Sequence, residues 1–418
     1  MSEVGAPSTG SSGLEGLRLS VVAASLARPG GTERYLILLR DALLEAGVSL
    51  RVWTRDDSGD ERLDSLLDDT PDPLRLLPQA PRARREARRL AESSDLALFL
   101  GIAPFGFTLA AARALPTLLS VHTPFLTCPA GSRYLPRSQR PCHSAPGPRC
   151  LQVDRREGCL SLQSGAPFSP LGKLSGSLTR GPRTRLLLRA VRGVVVNSAA
   201  TREDLHRLAA PAQTWIVHPP AWIPLPPPVD LEPDLLLFVG RLSLLKGVPE
   251  ALEVAARLPQ TRLEVIGEGP ERARLEALAA GLGIAARVRF RGWCSPEEVS
   301  QAMARAACTL VPSQTFETFG QVGPQALQAG CPVVAYEVGG VAAWGREGAA
   351  ARPGVTLVEV GDLPGLTRAT QRALQEQPAP AERARWSRAS REAFGLERFR
   401  REYLEVLAQA RSQAPRRA

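Results

Sequence analysis

The sequence predicts an α/β protein of two facing, Rossmann-like, doubly wound domains with a cleft between them. Three observations carry that expectation. Short, fully apolar runs alternate with amphipathic stretches in both halves of the chain, the pattern of parallel strands covered on both faces by crossover helices. A segment with six prolines, Pro219–Asp230 (PPAWIPLPPPVD), separates the two alternating series as a stiff, extended linker. The length, 418 residues, exceeds what one core ordinarily holds.

The first 13 residues, MSEVGAPSTGSSG, are small and polar, with no apolar core for a signal peptide, and a disordered tail is expected over 1–16. The N-terminal domain is expected over 17–218. It opens with the apolar run LRLSVVAAS from Leu17, then a glycine turn (Arg28–Glu33). A helix follows, with Leu36, Ile37, Leu39, Leu43 and Leu44 at helical spacing and an end at Gly47. Ser49–Thr54, Leu96–Leu100, Thr117–Val121 and Val194–Val196 read as strands, with a helix starting near Thr201. Residues 123–177 are rich in Pro, Gly, Ser and Cys, lack a period, and read as a long loop.

After the linker, 219–230, the C-terminal domain is expected over 231–393. Its strands are Leu235–Val239, Leu263–Ile266, Val288–Arg291, Thr309–Val311 and Val333–Ala335. Its helices are Pro249–Leu258, Glu271–Ala280 and Pro296–Ala307. An amphipathic helix closes the chain, 394–411.

Composition narrows the function classes. With 44% hydrophobic and 22% charged residues the chain is an ordinary globular protein. The net charge of +10 is almost purely arginine, since Lys173 and Lys246 are the only lysines. No nucleic-acid motif occurs and aromatics make up 5%, which leaves no stacking platform, so nucleic acid is not expected as a partner. The densest basic run, Pro81–Glu92, reads as one helix with a solvated face; contact with an anionic membrane surface is the alternative. No apolar run approaches the ~18 residues of a membrane span. A cytoplasmic protein is expected, with peripheral contact at the inner face of the membrane as the extension of that reading.

Two segments carry chemistry. The first, Phe316–Gly340 (FETFGQVGPQALQAGCPVVAYEVGG), sets Glu317 on a glycine-bearing turn that feeds a short helix. Unpaired N–H groups and the helix dipole at such a start favour an anion, and phosphate is the usual one. The second, GRLSLLKG (Gly240–Gly247), follows a strand and brackets its turn with Arg241 and Lys246. Arginine can clamp phosphate oxygens bidentately and lysine acts as a point charge, so the pair suits a diphosphate whose departure builds negative charge.

Together with VIGEGP (Val265–Pro270), VRFRGW (Val288–Trp293) and VPS (Val311–Ser313), these motifs resemble the C-terminal half of retaining glycosyltransferases with the GT-B fold, family 4 (glycosyl transferases group 1). The N-terminal half is similar more loosely, through Gly30–Gly31, His122 and Asn197–Ser198. The resemblance implies a metal-independent hexosyltransferase-type enzyme without a cofactor. It would move a sugar from a nucleotide-sugar donor to a hydroxyl of a glycan or lipid-linked acceptor. By the same resemblance, Glu317 and His122 are the catalytic pair, contacting the donor sugar from opposite domains. Gly240, Arg241, Lys246, Phe319, Gly320, Gln321, Val322 and Gln325 bind the donor, and Gly30 and Gly31 line the acceptor side. The closing helix would cross back onto the N-terminal domain.

One position departs from the pattern. The family places a second glutamate eight residues after the first, where it holds the ribose hydroxyls; here that position is Gln325. Glutamine offers one carbonyl acceptor and no charge. Two further readings therefore stay open: a non-catalytic glycosyltransferase-like subunit, and a nucleotide-sugar epimerase of the same fold. Cys128, Cys142, Cys150 and Cys159 all fall in the long loop, at spacings without the short pairs of strong zinc motifs. Free thiols are the first reading, and structural zinc and disulfides the alternatives. Restoring the carboxylate with Gln325→Glu should tighten nucleotide binding by about 1–2 kcal/mol. Unchanged or weaker affinity by calorimetry would refute the ribose assignment.

Overall fold

The computed structural model describes residues 13–23, 31–54, 80–101, 105–161 and 170–412. Two six-stranded sheets organise them, and every strand pair within each sheet is parallel. The N-terminal sheet contains β1 (Arg18–Ala23), β2 (Ser49–Trp53), β3 (Leu96–Leu100), β4 (Thr117–Val121), β5 (Gly193–Val196) and β6 (Thr214–Ile216), in the order β2-β1-β3-β4-β5-β6. β3, β4 and β5 are buried along their whole length, which is why they read as continuous apolar runs rather than alternating ones.

The C-terminal sheet contains β7 (Glu232–Val239), β8 (Arg262–Ile266), β9 (Val288–Gly292), β10 (Ala306–Val311), β11 (Val333–Tyr336) and β12 (Val355–Val358). Their order, β9-β8-β7-β10-β11-β12, reverses between β7 and β10. Such a reversal opens a crevice at the carboxyl ends of the two strands. β10 starts at Ala306, earlier than the sequence reading placed it, because Ala306–Cys308 pair with β7 and are fully enclosed. Burial overrides the helix propensity of the two alanines there.

Side-chain caps mark the start of some helices. In α6 (Ala199–His206), Ser198 Oγ accepts from the Thr201 N–H. In α9 (Pro296–Arg305), Ser295 and Glu298 form a reciprocal capping box ahead of Pro296. Further helices are α1 (Gly31–Glu45), α2 (Ala80–Ser93), α3 (Phe105–Ala114), α4 (Arg149–Glu157), α5 (Pro170–Ala190), α7 (Val248–Arg257), α8 (Arg272–Gly281), α10 (Val322–Gln328), α11 (Leu363–Glu376) and α12 (Pro380–Phe394). The arginine-rich run is α2: Arg84, Arg85, Arg88 and Arg89 face solvent, while Ala87 and Leu90 enter the core.

The stretch 123–177 is more structured than a loop. It contains a 3-10 turn (Pro124–Leu126), a two-stranded hairpin (Tyr134–Leu135 with Arg140–Pro141), α4 and the start of α5. Sequence periodicity missed α4 because none of its residues is fully buried. Pro182 and three glycines obscured α5. A buried ion pair between Arg133 and Asp204 ties this stretch to α6, and Thr127 donates to the same carboxylate.

The last helix, α13 (Leu396–Ser412), packs on the N-terminal domain. Phe399, Tyr403, Val406 and Leu407 share one core with Leu17, Leu36, Leu39 and Leu43. Leu14, inside the stretch read as a tail, is fully buried in that core, and Arg411 bonds the carbonyls of Gly13 and Glu15. The first twelve residues of that stretch lie outside the described residues. The linker is likewise not free-standing, since Ala221 and Ile223 are buried in the C-terminal core. Phe399→Ala should cost about 3–5 kcal/mol by urea denaturation; a loss under about 1 kcal/mol would mean that α13 adds no core to the N-terminal domain.

Candidate active site

The two domains enclose a cleft of about 390 Å3. Its C-terminal wall is the crevice between β7 and β10. The turn after β7 brings Gly240, Arg241 and Lys246, and the turn after β10 brings Glu317 to Val322. Its N-terminal wall is Tyr35 from α1, His122 and Thr123 after β4, Asn197 after β5, and Pro219 from the linker.

Lys246 ends a 3-10 turn whose next residue, Gly247, has φ of 75°. A Cβ at Gly247 would overlap the Pro312 carbonyl, so the lysine turn rests directly on the exit of β10. That contact aims Lys246 Nζ at Glu317 Oε1, 2.6 Å away. The carboxylate is the more enclosed partner, at 12% exposure against 36% for the lysine. Arg241 is exposed at the cleft, and among the described residues it forms no ion pair. The two residues assigned to phosphate and to sugar thus meet each other, while a second cation stands beside them.

The turn carrying Glu317 is braced from below. Gly340 N–H donates to the Glu317 carbonyl at 2.6 Å, and Trp344 Nε1 donates to the Phe319 carbonyl at 2.6 Å. A Cβ on Gly340 would collide with the Thr318 carbonyl oxygen, which accounts for the double glycine that closes the motif. Phe319 is buried and stacks on His218 at 5.3 Å between ring centres. Gly320, Gln321 and Val322 lead into α10, whose first N–H groups have no partner within the helix. Gln325 lies one turn further on, is half-buried, and is not among the residues that line this cleft.

The other domain grips the same turn. Thr318 Oγ1 donates to the His122 carbonyl at 3.1 Å and accepts from Asn197 Nδ2 at 3.4 Å. Asn197 Oδ1 is buried with no hydrogen-bond partner among the described residues, an acceptor at the edge of the cleft. His122 Nε2 shares a hydrogen bond with Ser120 Oγ at 3.0 Å, and Tyr35 meets its ring edge-on at 4.6 Å. Burial pushes the His122 pKa down to about 4, so the ring is neutral at pH 7.

Just ahead of Glu317 the long stretch after His122 docks on the C-terminal domain. Phe316 N–H and Thr315 Oγ1 both donate to the Ser132 carbonyl, at 3.1 and 2.7 Å. Tyr134 donates to Gln314, which donates in turn to Glu250. Burial pushes the Glu250 carboxyl up to about 7.

Of the residues singled out in the sequence, Glu317, His122, Gly240, Arg241, Lys246, Phe319, Gly320, Gln321 and Val322 converge on one cleft. Gly31 is the first residue of α1, and Gly30 lies outside the described residues. Tyr35, Asn197 and Thr318 were not read as site residues. Asn197 carried a signal, as the only asparagine in the chain, at the end of an apolar strand.

This architecture has relatives. Residues 226–393 match the family described as glycosyl transferases group 1, and residues 29–221 match glycosyltransferase family 4. The chain belongs to the group 1 glycosyltransferases of GT-B fold, with a family 4-type N-terminal domain. The lipopolysaccharide core biosynthesis glycosyltransferase LpsE of Rhizobium meliloti (strain 1021) is 30% identical over 181 residues, 42% of this chain and 50% of that protein. A D-inositol 3-phosphate glycosyltransferase of Acidothermus cellulolyticus is 37% identical over 134 residues, 29% of this chain and 30% of its own length. The match thus spans half or less of these curated relatives. Among solved structures, Anabaena HepE in complex with UDP aligns with a TM-score of 0.61 at 17% identity, over 94% of this chain and 100% of that one. The apo lipopolysaccharide outer core galactosyltransferase WaaB aligns at 0.63 and 16%, over 94% and 100%. These structural likenesses establish the GT-B fold of the chain.

The half-buried, neutral ring of His122 in this GT-B protein has a measurable consequence. An unfolded histidine titrates near about 6.5, so as pH falls from there towards 4 the unfolded chain takes up a proton that the folded one refuses. Stability contributed by the neutral ring is present above that window and lost across it, by up to about 3 kcal/mol. The stability difference between wild type and His122→Gln, from urea denaturation at each pH, should shrink by that order between pH 6.5 and 4. A pH-independent difference would show that the imidazole titrates freely.

Proposed function

We propose that this protein transfers a hexose from a nucleotide-sugar donor to a hydroxyl of a glycan or lipid-linked acceptor, with retention of anomeric configuration and without a metal ion. The observation that carries the reading is the convergence of Arg241, Lys246 and Glu317 from one domain with His122 from the other on a single cleft. A donor diphosphate entering beside Arg241 competes for Lys246 and releases the Glu317 carboxylate to the hydroxyls of the donor sugar. The two cations offset the negative charge that grows on the leaving phosphate, so they act more strongly in the transition state than in the ground state. Protein cations in this role replace a metal. The leaving phosphate takes the proton of the acceptor hydroxyl on the same face of the sugar, which preserves the anomeric configuration. His122, neutral at pH 7, hydrogen-bonds the sugar from the opposite wall and does not repel the cations across the cleft.

One relative is named for lipopolysaccharide core biosynthesis, which supports a glycan or lipid-linked acceptor; another is named for D-inositol 3-phosphate, a small polyol phosphate that is neither. UDP in the HepE complex supports a uridine nucleotide as the first donor to try. Among the described residues no helix is long and apolar enough to cross a membrane. A cytoplasmic enzyme that meets its acceptor at the inner face of the membrane, through the arginine face of α2, fits this reading. Gln325 favours a second reading, in which the protein binds nucleotide without transferring sugar. A donor panel of UDP-, GDP- and ADP-sugars separates the two, since a non-catalytic subunit binds donor without turnover, and an epimerase would return an altered donor.

Glu317→Ala should lower kcat by at least about a hundredfold, the scale of losing one electrostatic group from the reacting centre, while circular dichroism stays unchanged. Retained turnover would remove Glu317 from the site.

A further inference from the structure

The stretch after His122 brings its four cysteines to one place. Cys128 follows the 3-10 turn, Cys142 follows the hairpin, Cys150 lies in the first turn of α4, and Cys159 opens the 3-10 turn after it. All four line a single cavity of about 20 Å3, closed further by Thr127, Pro129, Ala130, Tyr134, Val153 and Leu160. That volume holds about one water-sized sphere. The four are free thiols, and the remaining three cysteines, Cys294, Cys308 and Cys331, are buried in the C-terminal domain.

The packing around them is thin. Cys128, Ala130, Cys159 and Leu160 are the buried members of the local cluster, with Val153 partly buried against it. A segment of this size with so small a core gains stability from a cross-link or a bound ion. Yet it must hold a definite shape, because Ser132 and Tyr134 make the contacts to Gln314, Thr315 and Phe316 immediately ahead of Glu317.

We propose that this cavity is a structural zinc site with Cys128, Cys142, Cys150 and Cys159 as its four ligands. Soft thiolates in a set of four select zinc in tetrahedral coordination, with no open position for catalysis. As the chain is placed, no group of three such side chains among the described residues is already arranged to hold an ion, so the sulfurs close on the metal as it binds. Four S–H groups lose their protons to water and four Zn–S bonds form, leaving a centre of net charge −2. The zinc acts on the reaction only through position, by fixing the loop that presses on the turn of Glu317.

The test uses the full chain purified under reducing conditions without added chelator. Mass-spectrometric metal analysis should find about one zinc per chain. Cys128→Ser and Cys150→Ser should each lower that at least fivefold, and Cys308→Ser should leave it unchanged. Because a loop variant could lose zinc by unfolding, the wild type is also stripped with a chelator and re-titrated with zinc alone. Restored zinc should raise Tm and protect 128–160 from proteolysis and hydrogen exchange. Less than a tenth of an equivalent of zinc, with no response to added zinc, would overturn the proposal. So would disulfides among these four cysteines in the non-reduced protein, found by peptide mapping.

Discussion

The turn from Phe316 to Gly320 is held by both domains at once, and the geometry of the site depends on that grip. From its own domain it is fixed by the Gly340 and Trp344 bonds to its carbonyls. From the other domain it is fixed by the carbonyls of His122 and Ser132 and by the amide of Asn197. Polar backbone groups buried at a domain interface must find partners, and here the partners are each other. The result is that Glu317 is positioned relative to His122 by hydrogen bonds that exist only when the two domains are together.

The same constraint explains why Lys246 faces a carboxylate. A half-enclosed Glu317 without a counter-charge would carry a desolvation penalty, and Lys246 at 2.6 Å offsets it. A phosphate that draws the lysine away leaves Glu317 in need of new donors, which the hydroxyls of a sugar supply. In the proposed reaction, binding of the charged part of a donor and engagement of its sugar would be coupled through one ion pair. Arg241, exposed and outside any ion pair among the described residues, is the cation left open at the cleft for a phosphate on the proposed reading.

The closing helix and the long stretch after His122 serve that arrangement from a distance. α13 returns across the linker to complete the core around Tyr35, whose ring lies against both Phe399 and His122. The C-terminus of the chain therefore supports a wall of the cleft through aromatic packing. On the other side, Arg133 and Asp204 anchor the cysteine-bearing stretch to α6, and that stretch carries Ser132 and Tyr134 to the interface.

The sequence by itself determined the two doubly wound domains, the linker and most of one wall of the cleft. Fully buried strands must be apolar throughout, and a turn packed closely at a strand's carboxyl end uses glycine; both demands are local and leave marks in consecutive residues, as in Leu96–Leu100 and Gly240–Gly247. Gln325 was equally legible as a departure, one helical turn beyond the cleft-lining Val322. Tertiary structure alone decided the rest. Tyr35, Asn197 and Thr318 acquire their roles from residues far away in the chain, and α4 escaped notice because it lacks a fully buried residue. The four cysteines are spaced without a short pair, so only folding of the chain brings them to one cavity. Pattern records which face a residue turns to its own sheet or helix; which residue it meets across an interface depends on how the chain returns.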